Sequence, residues 1–128
     1  EAGTTDGFTV VLTAQPTNNV VLAITASDAT EASAAPTQLT FTPANWTVAQ
    51  TVTITGVDDV IVDGPQTSTV TVSVVDASSN DAFDPLPDQT VTVTTTDNDV
   101  ACPASGIVYV NATAANGGNG LTWGTAFN

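Results

Sequence analysis

The chain of 128 residues has no lysine, no arginine and no histidine, set against thirteen aspartates and glutamates, so its formal charge is −13. Nucleic acid and anionic membrane surfaces are thereby excluded as electrostatic partners, because both require a basic footprint. The usual general bases and Schiff-base amines are missing, and with a single cysteine, Cys102, there is no Cys–His pair. No G-x-S-x-G nucleophile turn occurs either, so the chain reads as non-catalytic. The lone Cys102 cannot close an internal disulfide and is left as a free thiol or as a bridge between copies. Nowhere do about 18 apolar residues run together, so no membrane insertion is expected. The opening residues, EAGTTDGF, have neither the basic flank nor the apolar stretch of a signal peptide, and the sequence reads as a mature or excised piece. Scarce cysteine and absent basic residues fit an exported protein, extracellular or at the cell surface.

What is present is threonine, valine and alanine, and the first two fit a pleated, half-buried surface. Runs of period two, bounded by turn residues, recur over 7–14, 19–26, 38–42, 47–56, 67–75 and 89–96. Alternation in TVTIT (51–55) and TVTVT (90–94) puts Val52 and Ile54, and Val91 and Val93, on one face, with threonines on the other. Pro16, the Asp63, Gly64, Pro65 triplet and the segment 84–87 supply turns through fixed φ or side-chain bonds to the backbone. The expected fold is all-β, an immunoglobulin-like antiparallel sandwich over residues 1–99. It begins at what looks like the second strand, since residues 1–6 are almost free of apolar side chains. A sandwich without that outer strand has an open edge and a groove into its core. Residues 100–106 form a linker, and 107–128 an extended tail too short to fold alone. That tail holds an apolar alternation, Ile107, Val108, Tyr109 and Val110, then a glycine-rich stretch with Trp123 and Phe127.

Acidic residues cluster beyond strand ends. Two like charges ~4 Å apart repel by about 1 kcal/mol in water, and several times more near a protein surface. Asp58 and Asp59 with Asp63, and Asp97 with Asp99, are too close in sequence to separate, so bound calcium is expected to hold them. The alternative is that they only form turns, since Asp bonds its own backbone readily. A looser group, Asp76, Asp81, Asp84 and Asp88, reads equally as a solvated loop or a metal site, and Asp28 and Glu31 read as solvated charge. Trp46 is expected to plug the core rather than stack on sugar. Trp123 needs a partner surface to cover it. Asn45 and Asn111 head glycosylation triplets of a kind that arises often by chance in a threonine-rich chain.

The stretches LTFTPANWTVAQTVTITGVDDVIVDG (39–64) and DASSNDAFDPLPDQTVTVTTTDND (76–99) resemble the Calx-β-related repeat of large bacterial surface and adhesion proteins. The FTPANW entry to a strand, the GVDD turn followed by DG, and the closing DND carry the resemblance. It implies a calcium-binding sandwich from a prokaryotic extracellular protein, with ligands Glu1, Asp58, Asp59, Asp63, Asp97 and Asp99. The tail GIVYVNATAANGGNGLTWGTAF (106–127) resembles the opening coil of right-handed parallel β-helix domains. An open edge together with an orphan apolar tail suggests copies that complete one another by strand addition, as a homo-oligomer or filament, with Ile107, Val108, Tyr109, Val110, Trp123 and Phe127 at the contact. Two alternatives remain: a spacer or adhesion repeat of a surface adhesin, and a module binding a glycan or other surface ligand.

Overall fold

The computed structural model describes residues 3–101. They form seven antiparallel strands: β1 (Thr5–Val10), β2 (Val20–Ala26), β3 (Ala32–Ala35), β4 (Gln38–Phe41), β5 (Gln50–Gly56), β6 (Gln66–Val74) and β7 (Gln89–Thr95). One sheet has the order β1-β5-β3 and the other β4-β2-β6-β7. The two pack as a sandwich around a core drawn from both, in which Phe41, Val20, Val52 and Val70 are fully buried. A single 3-10 turn, Asp76–Ser78, is the one helical element among the described residues. The all-β sandwich expected from the sequence is therefore the fold.

Position in the sheet decides what an alternating sequence buries. In β5 the alternation buries Val52 (0% exposed) and Ile54 (6%), because β5 lies between β1 and β3. The near-identical run in β7 leaves Val91 and Val93 half-buried, because β7 is an edge strand. The sequence runs overshoot in places: β1 starts earlier, at Thr5, and stops at Val10, and residues 47–49 form a turn before β5. Strand β3 has no counterpart among the sequence runs. Alanine and serine give it no hydrophobic alternation, and it exists by pairing, from Ala32 opposite Gly56 to Ala35 opposite Thr53. Trp46 is half-buried and outside the core cluster, and Phe41 takes the plugging role expected of it. Asn45 is also half-buried, its Oδ1 accepting from the Thr42 N–H at 2.6 Å to close the turn between β4 and β5.

Close approach of β1 to β5 depends on Gly7, opposite Thr53. A Cβ there would stand 2.8 Å from the Val52 carbonyl oxygen, a backbone atom that cannot swing away. Gly7→Ala is expected to cost about 1–3 kcal/mol through the shift it forces. Val52→Ala should cost about 2 kcal/mol, for lost burial plus the cavity, and Val91→Ala under about 1 kcal/mol although its local sequence is the same. Urea denaturation of the three variants checks this, and equal losses for Val52 and Val91 would contradict the difference between central and edge strands.

Candidate metal centre

Strand register places the two acidic segments together. Gln66 at the start of β6 pairs with Thr95 at the end of β7, so the residues just before Gln66 and just after Thr95 are neighbours. Asp63 and Gly64 thus meet Asp97. The Gly64 N–H donates to Asp97 Oδ2 at 2.8 Å, and the Asp99 N–H donates to Asp97 Oδ1 at 2.7 Å. Gly64 turns the chain with φ +76°, in the left-handed region that glycine occupies without strain. Asp59 folds its own loop, its Oδ1 accepting from the Ile61 N–H at 2.7 Å. Of the expected ligands, Asp63 and Asp97 are linked through backbone, and Asp58 and Asp59 lie close enough to Asp99 to act on its charge. Glu1 lies outside the described residues, as do Ile107, Val108, Tyr109, Val110, Trp123 and Phe127.

The electrostatics of this end are uneven. Asp97 is held below the usual carboxylate range, first by the Gly64 N–H and then by the Asp99 N–H, against an opposing effect of burial. Asp99 is pushed above that range, first by burial and then by the charges of Asp97, Asp58 and Asp59. Its Oδ2 atom is buried with no hydrogen-bond partner. Among the described residues no group of three or more acidic side chains converges closely enough to form a ready-made metal site.

Glu31, expected to be solvated, is buried at 9% exposure at this same end. Its Oε2 accepts from Thr95 Oγ1 at 3.2 Å, and its carbonyl accepts from the Val57 N–H at 2.9 Å, directly beside Asp58. The sequence reads it as solvated charge because its burial comes from the pairing of β3, which follows it and carries no hydrophobic alternation. Asp28 in the same loop is exposed, and its carboxyl is lowered chiefly by the Thr30 hydroxyl, with help from the Thr30 N–H.

At the opposite end the 75–88 loop is anchored rather than loose. Phe83 enters the core at 8% exposure, and Ser79 Oγ both accepts from the Val21 N–H and donates to its carbonyl. Asp84 is pushed up by burial first, then by Asp76 and Asp81, and its Oδ1 is buried without a partner. With Asp6 as the one acid inside a strand, the described carboxylates occupy the two ends of the sandwich.

No family model matches the chain, and no curated protein does. Among solved structures it is similar to SSP-19, an MSP-domain protein-like family member of Caenorhabditis elegans. The identity is 20% over 73% of this chain and 85% of that one, with a TM-score of 0.45.

The shifted groups fix the sign of the pH response without metal. Asp97, lowered in the fold, contributes stability above the unfolded carboxylate pKa of about 3.9, and that stability is lost as pH falls through its folded value. Asp99 and Asp84, raised in the fold, cost stability when ionised and return it as pH falls through their folded values. Melting in chelator should therefore show Tm rising on mild acidification and falling below about pH 3.9. Asp99→Asn should raise Tm at neutral pH and flatten the first limb, whereas a lower Tm for this variant in chelator would contradict the assignment.

Proposed function

We propose that the chain is a non-catalytic structural subunit of a calcium-stabilised extracellular filament or surface layer, its copies joined by strand complementation. The observation that supports this is the meeting of two acidic segments around Asp97, with Asp99 Oδ2 buried and unpartnered beside them, in a chain without a basic side chain. An orphaned carboxylate oxygen pressed by like charge is a fit for a hard cation that takes six to eight oxygen ligands. Asp58, Asp59, Asp63, Asp97 and Asp99 would hold it. Glu1 belongs to the set that the Calx-β resemblance implies, and Glu31 is a buried carboxylate alongside. The ion's chemistry is structural: it ties the β5–β6 loop to the exit of β7 and cancels repulsion at that end. A spacer repeat of a larger prokaryotic surface adhesin is the second reading, favoured by the outer edge of β1, where no further strand pairs among the described residues.

Extracellular modules bind calcium at roughly 10⁻⁴–10⁻³ M. With a Kd of ~0.1 mM, ~1 mM calcium would stabilise the fold by about 1.4 kcal/mol through mass action. Calorimetry of the full chain should show Tm rising with calcium and returning in chelator, with no comparable gain from magnesium. Asp99→Asn, the variant expected to be more stable in chelator, should lose most of the calcium gain. A wild-type Tm indifferent to calcium would remove the metal from the proposal.

A further inference from the structure

The two sides of the sandwich differ. On one side β3 passes to β4 through Pro36 and Thr37, so the chain itself crosses from one sheet to the other and joins the two outer strands of that flank. On the other side β1 and β7, edge strands of different sheets, face each other with no third strand between them among the described residues. A cleft of about 230 Å³ opens there, bounded by Thr5 and Thr95, and continues past Phe8 and Val91. Its floor is Ile54, a core residue, and Phe8 and Val93 are half-buried apolar side chains packed against that core. Asp6 is the one acid on the lining, and its Oδ1 accepts from the Gly7 N–H at 2.7 Å.

An occupant must offer free main-chain groups for an unpaired edge and apolar side chains in alternation. In a chain of charge −13 it must also bring no carboxylate. All thirteen acids fall within residues 1–99, and the remainder is uncharged throughout. Within that remainder Ile107, Val108, Tyr109 and Val110 form an uninterrupted run of β-forming residues. The connecting residues 96–106 span at most about 3.6 Å each, enough to reach well beyond the sandwich. We infer that the β1–β7 cleft is a strand-acceptor site, and that its occupant is residues 107–111 of a second copy, laid antiparallel along β1. A strand antiparallel to β1 must arrive from the far end, as from a neighbour; a chain's own tail leaves β7 at the end where β1 begins and, turning back, would run parallel to β1 and antiparallel to β7, so pairing on β1 is what marks the second copy. Each copy then gives a strand at one end and receives one along its flank, a head-to-tail contact that propagates. This deepens the filament reading and rests on it.

The test uses full-length chains in ~1 mM calcium, a concentration suited to extracellular sites. Val93→Asp places a carboxylate in the cleft, and the double variant Val108→Asp/Tyr109→Asp places one on each face of the donor strand. Wild type should form large species by light scattering, and each variant alone should be monomeric. An equimolar mixture should give heterodimers, because the intact tail of the first can enter the intact cleft of the second. If Val93→Asp does not fold, hydrogen exchange decides: β1 amides should exchange at least about tenfold more slowly in wild type than in the tail variant. Several outcomes overturn the inference: a monomeric wild type, either variant assembling alone, a folded pair that does not combine, or β1 amides equally exposed with and without the intact tail. A monomer whose β1 amides are protected only by an intact tail means that the chain fills its own cleft, and this too overturns the second copy as occupant. If that monomer still gains Tm from calcium, the metal reading stands without the strand exchange.

Discussion

Carboxylates in this protein have no cationic side chain to meet, so each must be satisfied by backbone N–H groups, hydroxyls, water or dissolved cations. That constraint orders the molecule. Strand interiors spend their N–H groups on the ladders, and apart from Asp6 the described acids lie in the turns and loops at the sandwich ends, where unpaired N–H groups are found. Asp28, Asp59 and Asp97 each take such donors, and Glu31 takes a hydroxyl from Thr95.

Supply of donors is limited, and the limit separates neighbouring residues. Asp97 collects the Gly64 and Asp99 N–H groups and is easily ionised, while Asp99, two residues on, gives up its own N–H to Asp97 and keeps an oxygen without a partner. The same division occurs at the other end, where Asn80 Oδ1 takes the Ala82 N–H and Asp84 is left with a buried, unpartnered oxygen. A bound cation at Asp99 would convert the least favourable group at its end into a crosslink between two loops.

The two flanks of the sandwich differ as well. At one, the outer strands β3 and β4 are joined through Pro36 and Thr37; at the other, the outer strands β1 and β7 are not joined directly and frame a floor of core side chains. Exposed edges invite pairing, and charge on or near them is a common way to refuse it. Here the cleft has one acid, Asp6, while the surrounding loops carry the repulsion. An uncharged strand would meet less repulsion there than an acidic one.

Alternating threonine and valine, spaced turn residues and the absence of basic side chains were enough to specify an all-β sandwich with its acids at strand ends. These are local properties: period-two burial follows from the pleat, and turn chemistry from a few φ preferences. Pairing lay outside them. The equal-looking runs in β5 and β7 bury differently because one is central and one is an edge, β3 exists only as a partner of β5, and Glu31 is buried as a consequence. Likewise the sequence grouped Asp58 with Asp59, and Asp97 with Asp99, but only the β6–β7 register brings the two groups to one place, since contacts between residues more than thirty apart depend on which strands become neighbours.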